Sequence, residues 1–244
     1  MKALPALLSA LALSLTLAAC GKSEEGAKPS GAPVAEVKAP AGTSWTETVS
    51  ATPDGYFVLG NPNAAVKLVE YGSFTCSHCR DFSVEASEEI RKIVDTGKMS
   101  YEFRPFLRDP IDLTTALLAQ CGGKDVFYPL TEQFFANQTA MFEKVQAAGP
   151  QLQAVEQMPP TQRPVGIAQA LGLVEFAQQR GISADQAKQC LADTAAATRL
   201  AKGVEAAGKQ YNIEGTPTFL LNGVVVPATS TWAALQPKLK EAGI

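Results

Sequence analysis

Two cysteines set three positions apart, in Cys76-Ser77-His78-Cys79, stand where one hydrophobic period gives way to another. Before them, Val66-Lys67-Leu68-Val69-Glu70-Tyr71 is apolar and β-branched, bounded by Asn61-Pro62-Asn63 and Gly72-Ser73, the pattern of a strand between turns. Past Cys79, the residues Phe82, Ala86, Ile90, Ile93 and Val94 recur at helical spacing, and Gly97 marks the stop. Residues 99–106 read as a second strand. Strand, helix and strand in so short a stretch form a βαβ unit, whose parallel strands need the helix as their crossover. The cysteine pair is thereby assigned to the amino end of that helix, and any fold open to this chain has to be built around it.

The next hundred residues change character. Helical periods run over 112–120 and 126–147, with Gly122-Gly123 as the break, and Pro159-Pro160 and Pro164 mark an irregular crossing. Helices resume at 167–179 and at 183–191, where Ser183 and Gln186 fit a capping box, and an alanine-rich helix spans 193–211. Phe127, Phe134, Phe135, Met141 and Phe142 fall at helical steps and read as core, with an exposed peptide-binding face as the alternative. Arg104, Arg108 and Asp109 read as solvated surface, and Trp45 and Trp232 as packing. Strands return with Thr218-Phe219-Leu220-Leu221, the turn Asn222-Gly223 and Val224-Val225-Val226, a strong hairpin signal. An amphipathic helix over 231–242 closes the order: β-α-β, a helical block, then β-β-α, with no internal repeat.

Composition narrows the chemistry. Lys and Arg number 21 against 24 Asp and Glu, a net charge of −3 that leaves no broad basic surface and excludes nucleic acid as a partner. One histidine and five cysteines give little material for a metal site, so the chemistry points to sulfur. At a helix start, free N–H groups and the positive helix pole stabilise a thiolate at Cys76, and His78 adds a positive charge or a hydrogen bond. A stabilised thiolate favours the reduced pair and makes the disulfide the stronger oxidant. Cys76 is then the sulfur that substrate thiols attack and Cys79 the resolving partner. Two other readings stand beside this one. A structural bridge over so short a loop adds little to folding, and zinc needs about four ligands, which Cys76, His78 and Cys79 are too adjacent to supply. No organic cofactor is required, because the disulfide itself carries two electrons. Glu70 shares a strand face with Val66 and Leu68, so its carboxyl resists ionisation, unless it lies at an edge and reaches solvent. Pro217 reads as opening a strand, and X–Pro bonds are mostly trans.

The amino terminus reads as an address. Met1-Lys2, an apolar run over 4–17 and Leu17-Ala18-Ala19-Cys20 suit a secretion signal, too short to span a membrane. The Leu-Ala-Ala-Cys ending resembles the lipobox of bacterial lipoproteins, which implies a lipid on Cys20. The alternative is a plain signal peptide that happens to end at a cysteine. Residues 21–42, rich in Gly, Ala, Pro and Ser without apolar period, read as a flexible tether. Export puts the remaining four cysteines in oxidising surroundings, and the short step from Cys76 to Cys79 singles out that pairing among the three that four cysteines allow.

The stretch Val69-Glu70-Tyr71-Gly72-Ser73-Phe74-Thr75-Cys76-Ser77-His78-Cys79, with Gly215-Thr216-Pro217-Thr218-Phe219 far downstream, resembles the DsbA-like thiol:disulfide oxidoreductases. The resemblance implies an α/β chain with a thioredoxin fold and an inserted helical domain. It implies an acid at Glu70 beneath the second cysteine, relaying its proton, and a cis Pro217 opposite the cysteines, with the Thr216 backbone offered to a substrate chain. It also implies a second disulfide in the helical block, which Cys121 and Cys190 suit, two free thiols being the alternative. Closing that long loop would stabilise by about 4 kcal/mol in the chain-entropy model. Departures matter: Ser77 stands where the enterobacterial relatives have proline, and Thr216 before the proline is also found in isomerases.

The sequence therefore predicts a signal peptide over 1–19, a disordered tether over 20–44, the first thioredoxin half over 45–107, a helical insertion over 108–212 and the second half over 213–244. The expected activity is oxidation of cysteine pairs in exported proteins, with a membrane partner that reoxidises the site. Alternatives are an isomerase or reductase on the same fold, or a non-catalytic periplasmic binding or chaperone lipoprotein. The chain is expected to be a monomer in the periplasm or cell envelope, held to a bacterial membrane by its lipid alone, with no metal.

Overall fold

A computed structural model describes residues 31–244; the expected signal peptide, Cys20 and the start of the tether lie outside the described residues. Six strands form one sheet, ordered β1-β2-β4-β3-β5-β6. Two of them escape the sequence reading: β1 (Val49–Ala51) and β2 (Phe57–Gly60), three and four residues long, too short to display an alternating pattern. Next, β3 (Val66–Gly72), α1 (Ser77–Asp95) and β4 (Met99–Pro105) form the expected βαβ unit, with Val66 opposite Met99 and Gly72 opposite Pro105 in a parallel pair. On the other side of β3 lies β5 (Thr218–Leu221), antiparallel, and β6 (Val224–Val225) closes the sheet. Asn222 and Gly223 both take positive φ, 50° and 82°, as a tight two-residue hairpin turn demands.

Between β4 and β5 the chain is helical: α2 (Pro110–Cys121), α3 (Lys124–Ala136), α4 (Gln138–Ala147), α5 (Gly149–Glu156), α6 (Arg163–Ala170), α7 (Leu173–Gln178), α8 (Ala184–Leu191) and α9 (Thr194–Tyr211). Two expected helices are each divided. Asn137 interrupts 126–147, and a left-handed Gly172 (φ 64°) separates α6 from α7. Pro164 does not mark an irregular crossing; it lies in the first turn of α6, where its missing N–H has no helical partner to lose. Half of the expected capping box forms: Ser183 Oγ accepts from the Gln186 N–H, but the Gln186 side chain donates to the Cys121 carbonyl instead of turning back. The last helix, α10 (Trp232–Glu241), is capped by Thr231.

The apolar stripe of α1 (Cys79, Phe82, Ala86, Ile90, Val94) packs into the main core, and Phe82 meets Phe219 of β5 at 4.5 Å between ring centres. Phe127, Phe134, Phe135 and Met141 are buried, as are Trp45 and Trp232, so all six serve packing. On the opposite sheet face a smaller cluster of Tyr71, Leu220 and Ala207 lies under α9. The tether is shorter than expected. Val34 and Val37 donate backbone hydrogen bonds to Gly243 and Thr96, and Trp45 Nε1 donates to the Val37 carbonyl, so this stretch lies along the domain well before residue 44. Arg104 and Asp109 also depart from solvated surface. The half-buried Arg104 guanidinium grips Glu102 at 2.7 and 3.1 Å and the Tyr71 hydroxyl at 3.0 Å, and Asp109 caps α2. Arg108 is exposed.

Candidate active site

Strand β3 ends at Gly72, and the loop Ser73-Phe74-Thr75 delivers Cys76 to the N-cap of α1, where its φ and ψ of −94° and 121° are extended while its carbonyl accepts from the Arg80 N–H. A helix starting directly after a strand leaves its first N–H groups free, and they gather around the first sulfur. Cys76 is 5% exposed and Cys79 is fully buried, with both thiols free. The loop entering β5 stands opposite: Cys76 Sγ lies 3.2 Å from the Thr216 carbonyl, and the Thr216–Pro217 bond is cis. Ser77 and His78 are exposed, and the His78 imidazole makes no hydrogen bond among the described residues.

The two sulfurs are displaced in opposite directions. The Cys76 thiol is lowered to about 4, first by the hydrogen bond it receives from the Cys79 thiol, then by Thr216 and the backbone N–H groups of Cys79 and His78, against a burial that raises it. The helix start contributes as the sequence suggests, yet it is not the leading cause, and His78 acts through its backbone. Cys79 is pushed far up by burial, by donating to Cys76 and by the charge of Glu70, with the Ser73 N–H at 3.4 Å opposing. Glu70 is 2% exposed and raised to about 8, chiefly by burial; the Tyr101 hydroxyl, donating to its Oε2 at 2.6 Å, pulls the other way. One sulfur is thus an anion at neutral pH, and the other holds a proton next to a carboxyl that titrates near neutrality.

A clasp that sequence reasoning missed holds the loop. Buried Asp112, in the first turn of α2, accepts from Ser73 Oγ at 2.8 Å, from the Thr75 N–H at 3.0 Å and from the Arg108 N–H at 2.9 Å. Thr75 Oγ1 donates to Asp109 at 2.7 Å, and Gln138 Nε2 donates to the carbonyls of Phe74 and Cys76 at 2.8 and 3.0 Å. Burial raises Asp112 to about 6, while the Arg108 and Thr75 N–H groups and Ser73 resist that rise. Phe74 is anchored among Phe103, Phe134 and Phe135, ring centres 5.1 to 5.8 Å apart. The sequence reading starts this helix at 112 and leaves Asp109 on the surface, and nothing in the local pattern says that the turn at Asp109-Pro110 grips a loop more than thirty residues upstream. Tyr101 was hidden for the same reason: its diagonal relation to Glu70 exists only in the β3–β4 register.

Away from the site, Cys121 and Cys190 form a disulfide joining the end of α2 to α8, Cα atoms 5.7 Å apart. Among the described residues there is no grouping of three or more His, Cys, Asp or Glu able to hold a metal, and no helix long and apolar enough to cross a membrane.

A family model described as Thioredoxin matches residues 52–241. A Rickettsia conorii protein provisionally named a protein-disulfide oxidoreductase is 30% identical over 175 residues, covering 70% of this chain and 54% of its own length. A like-named protein of Rickettsia prowazekii is 30% identical over 172 residues, 70% and 56% covered. The chain spans about half the length of the curated relatives it matches. Among solved structures, a protein-disulfide isomerase from Novosphingobium aromaticivorans superposes with a TM-score of 0.71 at 33% identity, covering 75% of this chain and 94% of its own. Wolbachia pipientis α-DsbA1 shares the fold with a TM-score of 0.62 at 20% identity, 79% and 93% covered.

Proposed function

The chain belongs to the thioredoxin family, and from that premise we propose that it is a thiol:disulfide oxidoreductase of the DsbA type that oxidises cysteine pairs in exported proteins. The observation that carries this reading is the unlike setting of its two sulfurs, Cys76 at the N-cap of α1 and 3.2 Å from the Thr216 carbonyl, Cys79 fully buried, which lowers the first thiol and pushes the second far up. In the oxidised protein a substrate thiolate attacks Cys76 Sγ. The new sulfur–sulfur bond forms as the Cys76–Cys79 bond breaks, and Cys79 leaves with the electron pair and takes a proton that Glu70 supplies. A second substrate thiolate then attacks its neighbouring sulfur in the mixed disulfide and releases Cys76 as the stabilised thiolate. Two electrons have moved to the protein, and a membrane partner removes them. The disulfide is the only redox group this scheme needs. Thr216 and Pro217 border the attacked sulfur and bind the substrate chain there.

Equilibration with glutathione tests the direction of the reaction. The reading expects a reduction potential nearer about −120 mV, the range of strong dithiol oxidants, than about −270 mV, where thioredoxin itself lies. Cys76→Ser abolishes turnover if the chain is an enzyme and leaves function intact if it is a binding lipoprotein. A second reading, disulfide isomerase, is favoured by the similarity to the Novosphingobium protein-disulfide isomerase and by Thr216 before the proline. Faster reactivation of a scrambled substrate than oxidation of a reduced one would select it. We further propose export and lipid attachment at Cys20, on the strength of Leu17-Ala18-Ala19-Cys20. A mature protein beginning at an acylated Cys20, read by mass, is the expected result, and an unmodified or different terminus contradicts it.

A further inference from the structure

Glu70 has one hydrogen-bond partner among the described residues, the Tyr101 hydroxyl on Oε2 at 2.6 Å. Its other oxygen, Oε1, is sealed from solvent with none. Gly72 keeps room for it: a β-carbon there would stand 2.9 Å from Oε1 and 2.5 Å from the Phe103 ring. Oε1 therefore lies on the Gly72 side of the strand end, and the next residue, Ser73, donates its N–H to Cys79 Sγ at 3.4 Å. An unpartnered buried oxygen is unfavourable wherever it occurs, which makes its persistence on the side of the strand end that leads to the second sulfur informative. Tyr101 is itself fixed. It sits opposite Leu68 in the sheet, diagonal to Glu70, and the Tyr128 hydroxyl lies within hydrogen-bonding distance of both its carbonyl, at 2.7 Å, and that of Phe57, at 2.6 Å.

We propose that Tyr101 is a positioning residue for proton transfer at Cys79, occupying Oε2 of Glu70 so that the exchangeable proton resides on Oε1. This rests on Glu70 acting as the relay. When the Cys76–Cys79 bond breaks, Cys79 Sγ leaves with the electron pair, the proton passes from Oε1 to that sulfur, and the carboxylate left behind keeps the Tyr101 O–H on Oε2. The titratable groups bearing on Glu70 are Tyr101 from β4 and the two cysteines at the start of α1, while Tyr101 also faces Tyr128 and Glu132 of α3. Among the described residues, no other side chain hydrogen-bonds the carboxyl.

The experiment follows the protonated-carboxyl band of Glu70 by infrared difference spectroscopy across pH in the full chain, assigned by its loss in Glu70→Gln, alongside the pH profile of dithiol-peptide oxidation. Tyr101→Phe removes the donor to the ionised form and moves the midpoint up by about one unit or more, and the rate profile moves with it. A 3-fluorotyrosine at position 101, a stronger donor of nearly the same shape, moves both down and guards against a folding defect in the first variant. A midpoint unmoved in both variants overturns the proposal. Glu70→Gln slows oxidation by about 100-fold or more if the acid is the relay. If that variant oxidises normally, the relay falls and the role of Tyr101 with it. If Glu70→Gln is slow while neither Tyr101 variant shifts anything, the assignment of Tyr101 alone is wrong.

Discussion

At the scale of single residues, the site works by unequal treatment of two identical side chains, four and seven positions beyond the end of the same strand. Because the Cys79 thiol is the leading cause of the low Cys76 value of about 4, Cys79→Ala is expected to raise Cys76 toward the free-thiol range more than Thr216→Val does, as followed by thiolate ultraviolet absorbance. Glu70 yields a signed prediction for stability. Its pKa rises from 4.5 unfolded to about 8 folded, so ionising it costs more in the fold than in the open chain. The Glu70 contribution to stability is therefore largest at acid pH and is lost as pH rises from about 4.5 through about 8. Glu70→Gln removes that decline, and denaturant melts of the oxidised protein, in which Cys76 does not titrate, give the measurement. Asp112 accepts hydrogen bonds from Ser73 and Thr75 of the loop and from the Arg108 N–H just before α2. Asp112→Ala leaves those donors in a buried site without an acceptor and is expected to lower stability by about 1–3 kcal/mol and to raise the Cys76 midpoint as the loop loosens.

At the scale of elements, the phenylalanine cluster and the insertion bridge carry separable loads. Phe74→Ala empties a slot between Phe103, Phe134 and Phe135 and should cost about 3–5 kcal/mol. Replacing both Cys121 and Cys190 by alanine opens the loop that joins α2 to α8, with an expected loss of about 4 kcal/mol and an unchanged redox potential. A potential that moved with it would mean the insertion reaches the site through α2. Elements written in local pattern were legible: the βαβ unit, the hairpin at Asn222-Gly223 and the alanine-rich α9 each hold period, turn and cap within one short stretch. What depended on tertiary contact was not. The strands β1 and β2 owe their form to pairing with each other and with β4, and the breaks at Asn137 and Gly172 follow the need to wrap short helices over one core. Cys76, Cys79 and Glu70 could be found because a motif names them. Tyr101, Asp112 and Gln138 could not, since ordinary residues become special only when the fold brings them beside those three.

At the scale of the whole molecule, the sulfur asymmetry becomes a difference in stability between two redox states. Cys76 falls from 9.0 in the open chain to about 4 in the fold. The reduced protein therefore gains stability that is complete above about pH 9 and is lost as pH falls through about 4, while the disulfide form has no such dependence. The reduced form should melt above the oxidised form at neutral pH, and the gap should shrink toward pH 4, which paired thermal melts across that range will read. A protein so poised releases free energy each time it accepts two electrons, and under the proposed function that release is the driving force for oxidising clients. The most direct measurement is the titration of Cys76 in the reduced full chain by thiolate absorbance, with Cys76→Ser as the blank. The account predicts a midpoint near 4; a midpoint near about 8.5, that of free cysteine, would contradict it.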